Sequence, residues 1–289
     1  MEGRRYYRRA MSDYLRVLDC AEQHLLGLKA SGVRFLSVDS KIMKELTEGP
    51  RPVAVTNREV VRREVAPGKG VDEESSVILS YDSIDPGDGM EGLRQRAMVC
   101  LKCPHLVKSR KNVVFGVGDI HSQLMFVGEA PGADEDAQGE PFVGAAGQLL
   151  TRIIKTMGLS RETVYIANIL KCRPDTPGQH SGNRKPTSEE MKTCLPYLLA
   201  QIDLIRPKVM VALGSTAIEG LLGKGDGIGK IRGKFQLFRD IPLMPTFHPA
   251  YLLRNQALSE KRKVWEDMLK VMEKLGLPIS EKQQRYFSK

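Results

Sequence analysis

The sequence predicts a three-layer α/β/α fold with a mostly parallel central sheet, preceded by an N-terminal helical and extended extension. Three observations predict it. Four short apolar runs, at 124–127, 164–169, 209–213 and 243–247, lack the polar alternation of a half-exposed strand, as strands covered on both faces do. Each is followed by a stretch with helical spacing, at about 145–157, 187–205, 215–222 and 258–275, the alternation that builds a parallel sheet. Finally, Gly128, Asn168, Gly214 and His248 each stand at the end of one run. In a parallel sheet those ends share one edge, where ligand crevices open.

Taken in order, residues 1–46 read as helix, with Tyr14, Leu15, Leu18, Leu25, Leu26 and Leu28 at roughly helical spacing and Gly32 as a break. Residues 47–92 carry EGPRPVAVTN, APGKGVDEESS and DPGDG; this Pro-, Gly- and charge-rich composition predicts a flexible linker. The compact domain is expected over 93–289. Its first strand stops at Gly128, and the chain enters a loop with four acids, Glu129, Asp134, Glu135 and Asp136. Pro131, Gly132 and Gly139 shape that loop, Phe142 follows Pro141, and helical spacing resumes near Ala145. From Gly128 to Gly144 the connection runs 17 residues, against the usual 2–6 or so, and long ordered loops are usually functional. An ordinary strand-to-helix connection is the alternative.

Composition narrows the partners. The 289 residues carry a net charge of +9 and a pI near 9.3. That excess favours a polyanion, nucleic acid first and an acidic membrane surface second. No run approaches the roughly 18 apolar residues of a membrane helix. MEGRRYYRRAMSDYL has arginines but no apolar core of a secretory signal. The expected location is the cytoplasm, where thiols stay reduced.

Five cysteines in such a compartment suggest metal ligation. Cys100 and Cys103 form a CxxC pair, and Cys172 and Cys194 follow after 68 and 21 intervening residues. Cys20 is outside the pattern. Four thiolates suit tetrahedral zinc or a cubane iron–sulfur cluster. A zinc ribbon usually has two CxxC pairs, and Cys172 and Cys194 could equally be buried core cysteines.

Together the motifs GEAPGADED (128–136), EPFVGAAGQLL (140–150), YIANILKCRP (165–174), GNRKPT (182–187), VALGSTA (211–217) and FHPAYLLRN (247–255) are similar to family-4 uracil-DNA glycosylases. These are the bacterial and archaeal type bearing a [4Fe-4S] cluster. The resemblance covers about residues 98–273, with the motifs in the family's order. It implies hydrolysis of the bond between uracil and deoxyribose in DNA, leaving an abasic site. It also implies Cys100, Cys103, Cys172 and Cys194 as ligands of a structural [4Fe-4S] cluster, with zinc the alternative. TPGQHSGN then reads as an inserted loop before Cys194.

The implied residue roles agree with the chemistry. A glycosylase must extrude its base and read the Watson–Crick edge. Phe142 would stack on uracil, and Asn168 offers an acceptor and donors for N3–H and O4, a pattern cytosine reverses. His248 would donate to uracil O2 as the anion develops, and a neutral imidazole suffices. Glu129, Ala130 and Pro131 would complete the uracil pocket. Tyr251, Leu252, Leu253 and Arg254 resemble the loop that wedges into the duplex, with Leu252 or Leu253 as apolar plug and Arg254 on a phosphate. Basic clusters at 108–111, 230–234 and 261–263 would follow the backbone.

The group that activates water departs from the best-known pattern. Better-known members of the superfamily carry an Asp where this chain has Ala130, which leaves Glu129 and Asp136 as the catalytic carboxylates. Some relatives bond covalently to the sugar through a His in a KRRIH-type loop. Here GQHSGNRKP places His180 nearby, but the GNRKP context is that of ordinary glycosylases. A monomeric glycosylase acting on single- or double-stranded DNA is thus the expectation. A non-catalytic or covalent uracil-DNA binder and a metal-stabilised nucleic-acid-binding module are the alternatives.

Overall fold

A computed structural model describes residues 89–174, 184–223 and 227–287. The predicted extension at 1–46, linker residues 47–88 and His180 lie outside them. The span read as linker ends in a helix, α1 (Gly89–Met98). Leu93 and Ala97 are buried there, and Met90 packs partly against the core. That 3- and 4-residue spacing was masked by the adjoining DPGDG. A second helix, α2 (Pro104–Ser109), follows the CxxC pair with Pro104 at its first position, where a missing N–H costs nothing.

Six strands form one sheet in the order β1-β3-β2-β4-β6-β5. They are β1 (Val117–Gly118), β2 (Leu124–Gly128), β3 (Tyr165–Asn168), β4 (Val209–Leu213), β5 (Gln236–Phe238) and β6 (Ile241–Thr246). The four runs read as strands form the parallel centre, β3-β2-β4-β6. The short edges β1 and β5 are antiparallel to their neighbours. From β2 the chain moves outward to β3, then crosses back to β4 on the other side of β2. That reversal opens a crevice at the carboxyl ends of β2 and β4.

Helices cover both faces, and strand parity decides which residues they meet. Met125 and Val127 face a cluster with Leu195, Leu198 and Ile202 of α5 (Ser188–Ile205) and Ile218 and Leu221 of α6 (Ser215–Leu222). Leu124 and Phe126 point the other way, onto Leu150 and Ile154 of α4 (Ala145–Thr156) and onto Trp265, Met268 and Met272 of α9 (Leu258–Leu275). Each such fully buried side chain contributes about 1.5–3 kcal/mol. Two layers of helices thus pin the strand ends in place. The long loop after β2 holds its own helix, α3 (Ala133–Gln138), which its acid-rich sequence did not announce. α7 (Ile228–Ile231), α8 (Pro249–Arg254) and α10 (Glu281–Gln284) complete the order. No helix among the described residues is long and apolar enough to cross a membrane.

Candidate active site

Four sequence-predicted residues meet at the carboxyl edge of the sheet. Gly128 and Asn168 are register partners at the ends of β2 and β3. A Cβ placed on Gly128 would lie 2.6 Å from Phe142 Cε2, and closer still to Phe142 Cζ and Asn168 Oδ1. Only glycine lets the strand end, the ring and the amide share that space. The Phe142 ring lies 5.7 Å from the His248 imidazole, centroid to centroid, at a 32° tilt.

Asn168 is 1% exposed, and its Oδ1 as oriented has no hydrogen-bond partner among the described residues. A buried carbonyl without a donor costs about 1–3 kcal/mol, so such an atom calls for an outside donor. Its backbone is fixed from below, where Lys171 Nζ donates to the Asn168 carbonyl at 3.0 Å and to Gln201 Oε1 at 2.6 Å.

His248 caps α8 by accepting from the Ala250 backbone N–H through Nδ1 at 3.2 Å. An accepting Nδ1 leaves the proton of a neutral imidazole on Nε2. Burial, reinforced by Arg254 and partly opposed by Glu135, pushes its pKa down to about 4. His248 is therefore a neutral donor at physiological pH.

Phe142 is 6% exposed and stands at φ 56°. The left-handed region costs a residue with a Cβ roughly 1–2 kcal/mol. Contacts on both sides over-determine it. Arg161 donates to the Pro141 and Phe142 carbonyls, and Glu135 accepts from the Val143 and Gly144 amides. Neither Arg161 nor Glu135 belongs to a pattern that sequence reading could tie to Phe142, since both act through backbone atoms.

Beside this group lies a cavity of about 590 Å3, lined by Glu129, Ala130, Pro131, Gly214, Ser215, Phe247, His248, Tyr251 and Arg254, among others. Phe142 and Asn168 are not among its lining residues, although the Phe142 ring neighbours that of His248, which is. Burial raises the Glu129 carboxyl above its usual range, with a hydrogen bond from Thr216 and the charge of Lys185 partly opposing. Asp136 is elsewhere. It is 2% exposed, and its carboxylate accepts from the Lys111 and Asn112 backbone amides at 3.0–3.3 Å. The expectation of a catalytic Asp136 is corrected on that ground: its lone pairs hold the 110–112 turn.

The predicted wedge also divides. Leu252 is 4% exposed and packs into the core, whereas Leu253 is 36% exposed and Arg254 is exposed next to it. Their spacing on one helical turn turns neighbours to opposite faces. Leu253, not Leu252, is the leucine able to leave the protein surface. Tyr251 is committed to Glu260 Oε2 at 3.1 Å and receives Asn255 Nδ2 at 3.1 Å.

The four cysteines belong to one cluster with Leu106, Phe115, Leu170 and Tyr197. All are free thiols. Burial, with added repulsion from Cys172 and Cys100, pushes Cys103 up to about 11. Burial likewise pushes Cys194 up to about 12, with Cys172 and Cys103 adding to it. Arg110 Nη1 donates to Cys172 Sγ at 3.1 Å, and the Lys171 amide to Cys194 Sγ at 3.2 Å. Burial therefore keeps Cys103 and Cys194 as neutral thiols, while Cys172 and Cys194 each receive one N–H donor. No group of three or more His, Cys, Asp or Glu among the described residues is already gathered as an ion site.

Similarity to known proteins agrees with this geometry. The family model "Uracil DNA glycosylase superfamily" matches residues 115–269. A type-4 uracil-DNA glycosylase of Thermotoga maritima is 46% identical over 184 residues, covering 63% of this chain and 92% of that protein. One of Saccharolobus solfataricus is 42% identical over 198 residues, covering 65% and 88%. One of Pyrobaculum aerophilum is 43% identical over 177 residues, covering 58% and 87%. With Asn168 and His248 at the ends of parallel strands, Phe142 beside them and relatives matched over nearly their whole length, this chain belongs to the uracil-DNA glycosylase superfamily, in its type-4 family.

Proposed function

We propose that the chain excises uracil from DNA, extruding deoxyuridine and hydrolysing its glycosidic bond to leave an abasic site. The observation that carries this reading is Asn168 Oδ1, a buried acceptor without a partner among the described residues. Uracil N3–H is the donor it lacks. Cytosine N3 carries no hydrogen, so cytosine would leave the acceptor unpaired, a mismatch that hydrogen-bonding sites reject strongly. His248 Nε2–H donates to uracil O2 and stabilises the negative charge that develops there as the bond breaks. Phe142 supplies the stacking face, and Glu129 holds the water or opposes the developing sugar cation. Leu253 fills the gap left by the base while Arg254 meets a phosphate.

The cysteine set supports a structural cluster. Cys100, Cys103, Cys172 and Cys194 would hold a [4Fe-4S] group, which would serve as structure and tie the CxxC segment to the stretch after β3 and to α5. Four cysteines gathered about one apolar cluster suit such a group, with zinc the competing occupant. Action as a monomer in a reducing cytoplasm, where a set of free thiols persists, belongs to the same proposal.

The deciding experiment measures free uracil released from labelled single-stranded, U:G and U:A oligonucleotides. Quantitative release without a protein–DNA adduct supports a hydrolytic glycosylase. Retention of uracil in a stable complex on all three substrates would instead make the chain a binder.

A further inference from the structure

Phe142 is held by an arrangement that the chemistry of the reaction does not itself require. Arg161 lies in the turn before β3, far along the chain from the loop it touches. Its Nη1 donates to the Phe142 carbonyl at 3.0 Å and its Nη2 to the Pro141 carbonyl at 2.7 Å. Nη1 also reaches Thr151 Oγ1 at 3.4 Å, which anchors the guanidinium to α4. On the following residues, Glu135 Oε1 accepts from the Val143 and Gly144 amides at 2.9 and 3.0 Å. Four consecutive backbone groups, at residues 141 to 144, are thus claimed by two side chains of opposite charge. The residue in the middle has the left-handed φ of 56°. Gly147 closes the arrangement, since a Cβ there would lie 2.6 Å from Phe142 Cα and closer still to its carbonyl.

We propose that Arg161 is a positioning residue for the base platform, fixing the Phe142 backbone so that its ring stands ready beside Gly128 and His248. The proposal rests on the reading of Phe142 as the surface on which uracil stacks. The fork of a guanidinium suits two adjacent carbonyls at once, whereas an ammonium is a point donor. Without the fork the left-handed conformation loses its main restraint, and the ring spends part of its time away from the stacking position. The loss should appear in uracil binding and turnover, and only through Phe142.

The test is a double-mutant cycle read in kcat/KM for uracil release and in inhibition by free uracil. Phe142→Ala should cost about 10–100-fold, the worth of one base–aromatic stack. Arg161→Met should cost about tenfold in both readouts, and Arg161→Lys should recover part of it. In the Phe142→Ala background, Arg161→Met should cost less than about twofold, since coupled residues are not additive. Full additivity would overturn the proposal, because Arg161 would then act by general stability. A Phe142→Ala enzyme of wild-type activity would overturn the platform reading itself, a distinguishable result. Should Arg161→Met fail to fold, the same cycle with Arg161→Lys decides between coupling and general stability by the same comparison.

Discussion

Replacing Gly128 by alanine is the smallest change that tests whether the strand end, the ring and the amide form one site. The added Cβ would lie 2.6 Å from Phe142 Cε2 and nearer to Phe142 Cζ and Asn168 Oδ1, where ordinary contact begins at 3.4 Å. One or both side chains must yield by about 1 Å, a displacement that costs on the order of a hundredfold in rate when the moved groups orient a substrate. The same overpacking should destabilise the fold by about 1–3 kcal/mol, a fall in Tm of about 2–10 °C. The assay is single-turnover uracil release at a temperature well below both melting transitions, with Tm measured in parallel. Retention of kcat/KM within about threefold of wild type, with the folded state intact, would refute the claim that Phe142 and Asn168 act together beside Gly128.

Four further outcomes follow from the same geometry. His248 has its pKa pushed down to about 4 from 6.5, so the neutral imidazole persists through pH 5–8, and only as pH falls through about 4 should Nδ1 lose its bond from the Ala250 amide, and excision the ring orientation that bond sets. Because its folded pKa is the lower one, protonation favours the unfolded chain, and stability should also decline as pH drops below about 6.5 toward 4; a pH–rate profile of wild type and His248→Gln, with melting curves, checks both. Leu253→Ala should lower excision from duplex more than from single-stranded DNA, since only a duplex leaves a stack to fill. Leu252→Ala should instead cost about 2–4 kcal/mol of stability in a denaturant titration. Cys100→Ser should remove any broad absorbance near about 400 nm and lower stability, visible in the spectrum of freshly purified protein.

Much of this fold was legible because its centre is buried on both faces. Apolar runs without alternation gave β2, β3, β4 and β6, and helical spacing gave α6 and α9 at their observed limits. The edges were not legible: β1 is two residues long and β5 three, and Pro242 argues locally against carrying β6 back to its observed start at Ile241. α3 was hidden because ADEDAQ reads as acidic loop, although its first-turn acids suit a helix N-terminus. At the site, Asn168 and His248, the side chains assigned to uracil in the proposed function, were visible at the strand ends. Arg161, Glu135 and Lys171 were not, because they act on backbone carbonyls and amides, which no side-chain pattern marks. Asp136 was misread for the same reason: spacing placed it near Glu129, while its partners are the amides of Lys111 and Asn112.

The central claim is that the buried amide of Asn168 reads uracil as a pair of contacts, its Oδ1 accepting from N3–H and its Nδ2 donating to O4, and Asn168→Asp, which keeps the acceptor and removes the donor, tests that pairing most directly. The carboxylate keeps the size of the amide but removes its N–H donors and adds charge in a site that is 1% exposed. Burying that charge without a partner costs several kcal/mol, so uracil release should fall by at least about a thousandfold. Binding to abasic DNA, which offers no base to read, should change little. Near-wild-type uracil release by Asn168→Asp would contradict the account, because uracil O4 would then be recognised without the amide N–H donor.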